Sequence, residues 1–207
     1  MAITNYATLQ TAIANWLHRT DLTAVIPDFI RLAESRINRV FSSRGTELEA
    51  VLAATQGSEF VTLPTDFGTP IVLWLESFVP RQELTLKLSS ELEYAPIRAY
   101  PTNYAVKSNQ VQFDRIADTD YPLRLRYVQN IDLATTDTNY ILENYPDIYL
   151  FGALVEAAVY IRDMEQMQIW QQKLDMTMNE AQSNENTVKN TLLVTDYKQS
   201  RFSIIGG

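Results

Sequence analysis

Apolar positions in the first 45 residues recur at helical steps. Leu9, Ile13, Trp16 and Leu17 mark one face of a first helix, with Thr4 or Asn5 able to cap its free N–H groups. Phe29, Ala33, Ile37, Val40 and Phe41 mark a second helix. Asp21 and Thr23 offer its cap region, Pro27 suits its first turn, and Gly45 can stop it. Arg31, Arg36 and Arg39 decorate its other faces.

The pattern changes after Gly45. Thr46 and Glu49 have capping-box spacing, which predicts a short helix before the turn Gln56-Gly57-Ser58. Period two then takes over. Val61 and Leu63, Ile71 to Leu75, the alternating Leu84, Leu86 and Leu88, and Leu123, Leu125 and Tyr127 read as strands. Tyr104 to Val106 and Val111 to Phe113 flank Ser108-Asn109 as a hairpin. Six of the eight prolines fall between residues 46 and 136, which suits strand edges and loops better than helices.

Helical spacing returns near Asn144, a cap, with Pro146 in the first turn. Ile148 to Ile161 is apolar on nearly every side and predicts a central, buried helix. Asp163 and Gln166 have cap spacing and mark a break. Met167, Trp170, Leu174, Met178 and Ala181 predict a last helix to about Ser183. Residues 187–207 begin polar and then turn apolar at Leu192 to Val194 and Phe202 to Ile205. The expected fold is therefore α+β. Residues 1–45 and 137–186 make an antiparallel helical bundle, 46–136 a small inserted antiparallel β domain, and 187–207 an extended C-terminal tail.

Composition narrows the function. The 207 residues carry 25 Asp and Glu against 17 Lys and Arg, a net charge of −8. A nucleic-acid binder usually shows a basic face, and a peripheral membrane protein a basic or amphipathic anchor. The acidity is uneven: residues 1–45 carry +2, 46–136 carry −5, 137–186 carry −7 and 187–207 carry +2. Cysteine is absent, which excludes a disulfide framework, a thiolate zinc site and a cysteine nucleophile. A single histidine argues against the usual catalytic zinc sites. The N-terminus does not read as a secretory signal. The run Ile148 to Ile161 falls short of the roughly 20 residues a membrane span needs and contains Glu156. A soluble protein made in a reducing cytoplasm is expected.

No phosphate-binding glycine loop and no G-x-S-x-G elbow occurs. His18 reads as a surface residue at a helix end. Three acid pairs, Glu47/Glu49, Glu91/Glu93 and Asp118/Asp120, are spaced to share a strand face, as a glycosidase or metal site could use; turns and solvated faces are the plainer reading. Glu156 lies within the most apolar helix, where a carboxylate needs a partner. An ion pair with Arg36 is expected, with an inter-subunit contact or catalysis as the alternatives. Met164, Met167, Met176 and Met178 fit a packing stripe rather than a soft-metal site. No cofactor is expected.

Four segments carry a family resemblance. They are Ile3 to Tyr6 with Leu9-Gln10 and Ile13 to Leu17; Ile26 to Arg39 (IPDFIRLAESRINR); Leu63 to Phe67 (LPTDF); and Tyr145 to Ala158 (YPDIYLFGALVEAA). Together they resemble the head-to-tail adaptor, or connector, proteins of short-tailed bacteriophages, the tail tubular protein A-like class. The resemblance implies a structural, non-enzymatic ring, usually a dodecamer, beneath the portal of the filled capsid. Such a ring extends the DNA channel and docks tail nozzle or fibre proteins. The implied partners are the portal protein, neighbouring adaptor subunits and those tail proteins. DNA would pass without specific binding, no membrane would be involved, and the place would be the virion's head–tail junction after assembly in the host cytoplasm. Leu192, Leu193, Val194, Tyr197, Phe202, Ile204 and Ile205 would then contact the portal or a neighbour. The alternatives are a small acid-pair hydrolase, glycosidase-like, and a tail structural protein that does not bind portal.

Overall fold

The computed structural model describes residues 2–41 and 43–202, with side-chain surroundings for residues 2–186 except 42 and 44. By internal contacts the chain divides into two units, Met1–Gly45 with Ile131–Gly207, and Thr46–Asn130.

The first unit is helical. Helix α1 (Tyr6–Leu17) starts in a reciprocal capping box. The Asn5 carboxamide accepts from the Thr8 N–H at 2.9 Å, and the Thr8 hydroxyl accepts from the Asn5 N–H at 2.9 Å. Helix α2 (Ile26–Val40) buries Ile26, Phe29, Ile30, Ala33 and Ile37, and Pro27 stands in its first turn. Its expected cap is not used. Val25 occupies the N-cap without a side-chain bond, Asp21 pairs with Arg19 at 2.6 Å, and the Thr23 hydroxyl donates to the Thr20 carbonyl. Short helices α3 (Leu133–Thr136) and α4 (Tyr140–Asn144) follow, α4 being capped by Asn139, whose side chain accepts from the Leu142 N–H. Asn144 thus ends α4 rather than capping the next helix.

Helix α5 (Pro146–Tyr160) is the centre of this unit. Ile148, Tyr149, Ala153, Leu154 and Ala157 are fully buried, and α1, α2, α4 and α6 all pack on it. Gly152 sets the close approach of α2: a Cβ built there would stand 3.0 Å from the Ala33 Cβ. After a turn at Arg162, α6 (Met164–Phe202) begins, and the Asp163 carboxylate accepts from the Gln166 N–H at 3.0 Å. Leu174 and Ala181 are buried, and Met167, Trp170 and Met178 pack against the same core.

The second unit holds nine strands: β1 (Glu47–Ala54), β2 (Phe60–Thr62), β3 (Phe67–Leu75), β4 (Gln82–Leu86), β5 (Ala95–Arg98), β6 (Asn103–Lys107), β7 (Gln110–Phe113), β8 (Arg115–Ile116) and β9 (Tyr121–Gln129). Seven form one sheet in the order β1-β9-β3-β4-β6-β7-β2, and β5 and β8 form a separate parallel pair. Within the large sheet only β4–β6 is parallel. The end strands β1 and β2 approach one another, so the sheet is nearly closed. Tyr121, Leu123, Leu125 and Tyr127 of β9 alternate inward against Leu73, Leu75, Leu84, Tyr104, Val111 and Phe113. This is a separate core with its own aromatic content.

The expected fold class is overturned. The chain is mixed α+β with a large, nearly closed seven-stranded sheet, not a helical bundle carrying a small β insert. The error has two sources. Glu47–Ala54 (ELEAVLAA) is rich in helix formers, yet it pairs with β9 along its whole length, from Glu47↔Val128 to Ala54↔Tyr121. Edge pairing of that extent overrides a few tenths of a kcal/mol of local propensity per residue. The C-terminal end was also expected to be extended, but helix α6 continues to Phe202.

Candidate functional site

Three side chains tie α2, α5 and α6 together. Arg36 Nη2 lies 2.7 Å from Glu156 Oε1, and Arg36 Nη1 donates to Gln171 Oε1 at 2.9 Å. The pair is only half withdrawn from water, with side-chain exposures of 32% for Arg36 and 18% for Glu156. One planar guanidinium thus serves two acceptors on two helices. Gln171 in turn donates to Asp175 at 2.7 Å, one turn along α6. Glu156 Oε1, Gln171 Oε1 and Asp175 Oδ1 each accept one bond, so the chain of contacts runs from α5 through α2 to α6.

A second polar cluster joins α2 to the segment before α3. The Asn38 carboxamide brackets Ile131, accepting its N–H at 2.9 Å and donating to its carbonyl at 3.1 Å. Glu34 Oε1 accepts from the Leu133 N–H at 2.7 Å. Glu34 is 6% exposed and forms no salt bridge among the described residues. Burial pushes its carboxyl up to about 7; the Leu133 N–H and Tyr149 offset this in part, while Asp132 adds to it. Burial likewise holds the Tyr149 hydroxyl well above the usual phenol range. An open cleft lined by Asp28, Arg31, Glu34, Asn38 and Asp132 runs alongside. Glu34 and Asn38 are not among the candidate residues that the sequence singles out. Their signal was present: Glu34 follows Ile30 by four residues and so falls on the buried stripe of α2.

On the sheet unit, Glu49 and Glu76 are committed to arginines. Arg126 Nη2 lies 2.8 Å from Glu49 Oε1, and Arg124 reaches Glu49 at 3.3 Å and Glu76 at 2.5 Å. Hydrogen bonds from these arginines hold both carboxyls below their ordinary range. The guanidiniums of Arg81 and Arg126 stand over the Trp74 ring, at 5.7 and 5.8 Å from its centroid. Glu49 is therefore a paired anion, the wrong state for a general acid. Asp118 accepts from the Tyr121 hydroxyl at 2.7 Å, and Asp120 accepts from the Gln56 N–H at 2.7 Å, so this acid pair closes a turn. Glu91 and Glu93 lie exposed in the turn region between β4 and β5. Asp114, 4% exposed, takes three bonds from Thr102 and Asn103. Burial raises its carboxyl, and these bonds outweigh burial and leave it lowered.

His18 is exposed at the end of α1 in the left-handed region, with φ of 50°. Met167 and Met178 join the helical core, whereas Met164 and Met176 are exposed. Among the described residues no group of three or more His, Asp or Glu side chains could hold a metal ion. No helix of the described residues is long and apolar enough to cross a membrane. The side chains of Leu192, Leu193, Val194, Tyr197 and Phe202 lie outside the described residues, as do Ile204 and Ile205 entirely. The helical unit also shows large apolar side chains to solvent, including Leu32 and Val40 on α2 and Ile169 and Met176 on α6. On α6, Ile169 and Met176 are two turns apart on the side away from Leu174.

No curated protein sequence matches the chain. A model of the SU10 adaptor protein family matches residues 4–194, a span that takes in both units. The chain belongs to the SU10 adaptor protein family, a family of phage structural adaptors.

Proposed function

We propose that this chain is the head-to-tail adaptor of a short-tailed phage, of the tail tubular protein A-like class. In this reading it assembles with copies of itself into a ring, usually of twelve, beneath the portal. The ring extends the DNA channel and offers a platform to nozzle or fibre proteins. The carrying observation is the family match over residues 4–194. The engagement of Glu49 by two arginines supports a structural role over an acid-pair hydrolase.

Two further features suit a ring. A closed ring of heterologous contacts needs two different, complementary faces on each subunit. Residues 1–45 carry +2 and residues 137–186 carry −7, which gives the helical unit unlike charges to present. The exposed apolar residues of α2 and α6 supply area for such contacts. An acidic lumen would repel phosphate, so the genome would slide past without being held. The site of action would be the virion, after assembly in the host cytoplasm.

The test mixes the purified chain with the portal of its own phage and images the product by cryo-electron microscopy. A ring on the tail-side face of the portal supports the proposal. No association at micromolar concentration overturns it.

A further inference from the structure

Helices α2 and α6 hold large apolar side chains in water. On α2, Leu32 and Val40 are 53% and 67% exposed. They stand one turn to either side of Arg36, which turns inward to Glu156 and Gln171. On α6, Ile169 and Met176 are 41% and 62% exposed. At about 100° of rotation per residue, both lie roughly 140–160° round α6 from Gln171, the residue that meets Arg36 of α2. Ile169 and Met176 therefore face away from α2, and the two patches lie on different sides of the helical unit.

Single exposed apolar residues are ordinary on a protein surface. Spacing and charge set these apart. Leu32 and Val40 are about 12 Å apart along their helix, and Ile169 and Met176 about 10.5 Å, at about 1.5 Å per residue. The two pairs can therefore meet together. Exposed Arg31 and Arg39 stand directly before Leu32 and Val40, and Asp28 is the exposed acid of this helix, in its first turn. On α6 the signs are reversed. Exposed Glu165 lies one turn before Ile169, and exposed Glu180 one turn after Met176. The base between them, Lys173, is turned to α5, its Nζ 5.6 Å from the centroid of the Phe151 ring. One patch is thus apolar and basic, the other apolar and acidic. Against its own copy each would set like charges together; against the other it sets opposite ones.

We propose, resting on the adaptor reading above, that the α2 patch of one subunit packs on the α6 patch of the next copy and that this contact builds the ring. Leu32 and Val40 seat against Ile169 and Met176, with the arginines of the first patch toward the glutamates of the second. Because each subunit carries one patch of each kind on different sides, the contact passes from copy to copy until the ring closes.

The chain has no cysteine, so introduced ones report this contact alone. Ser35 and Gln172 are exposed within the two patches. Full-length chains with Ser35→Cys, Gln172→Cys or both are mixed with the portal, treated with a short bis-maleimide and run on a denaturing gel. The doubly substituted chain should give a ladder of crosslinked species beyond the dimer. Each singly substituted chain should stay monomeric, and an equal mixture of the two should stop at the dimer. In the doubly substituted chain, Arg31→Glu with Arg39→Glu sets like charges against Glu165 and Glu180 and should abolish the ladder. Dimers from either singly substituted chain, or a ladder that survives the charge reversal, overturn the pairing. Rings on the portal without a ladder overturn it too and leave the adaptor reading standing. A ladder from a chain that ignores the portal supports the pairing and counts against that reading. Neither ladder nor ring defeats both.

Discussion

The brace of Arg36, Glu156 and Gln171 makes a quantitative prediction. Replacing Arg36 with Met keeps the stem's packing and removes the guanidinium. It leaves the Glu156 carboxylate, 18% exposed, without its cation and leaves Gln171 without a donor. A hydrogen bond to a charged group contributes about 1.5–3 kcal/mol, and truncating one partner of a fully buried pair costs about 3–5 kcal/mol. Because both groups retain some water, about 2 kcal/mol is expected for Arg36→Met. Glu156→Gln keeps an acceptor and should cost about 1 kcal/mol. In the double variant neither charge is stranded, so a cycle should return a coupling of about 1–1.5 kcal/mol. Trp16 and Trp170 lie in the helical unit, their rings 5.4 Å apart, and Trp74 lies in the sheet unit. Urea melts followed by tryptophan fluorescence in a Trp74→Phe background therefore report the helical unit. The coupling should shrink in 1 M salt, since the pair is partly exposed. A coupling below about 0.3 kcal/mol in low salt, within the ordinary additivity error, would refute the brace.

Other predictions concern packing, acid and assembly. Gly152→Val drives two methyl groups into Ala33 and should destabilise the helical unit by about 2–3 kcal/mol, measured in the same melts; a neutral effect would mean α2 and α5 are less closely packed. Glu49, Glu76 and Asp114 have lowered carboxyls, so their stabilisation is present at neutral pH and lost as pH falls below the ordinary carboxylate range. Exchange mass spectrometry should show sheet peptides losing protection below about pH 4. Sheet peptides indifferent to pH 2.5 would contradict this. Deleting residues 188–207 should abolish binding to portal or to neighbouring subunits; a truncated chain that still forms rings on portal would remove the C-terminal segment from the interface.

Much of the helical unit could be read along the chain. α1 and α2 keep one apolar face each, and α5 is apolar all round because helices pack on several sides of it. A glutamate within such a helix asks for a cation, and Arg36 stands 2.7 Å away. Helix starts were less legible. Asp21, Thr23 and Asn144 are competent caps by type, but each is placed outside the position where a first turn needs it. Cap chemistry is common in turns generally, so residue type alone does not locate a helix.

What the sequence by itself determined was local: the helical stripes, the alternation Leu123-Arg124-Leu125-Arg126-Tyr127, the Ser108-Asn109 turn, and the uneven charge. These follow from periodicity and backbone preference within a few residues. The extent of the sheet and the partners of its charges were decided only by tertiary structure. Glu47–Ala54 becomes a strand because β9 offers it eight consecutive partners. Glu49 becomes an ion pair rather than a free acid because that register sets it opposite Arg126. Glu34 becomes a buried carboxyl because Ile131 to Leu133 return to α2 from some hundred residues away. In each case the deciding interaction joins residues far apart in the chain, and its energy exceeds the small differences in local propensity.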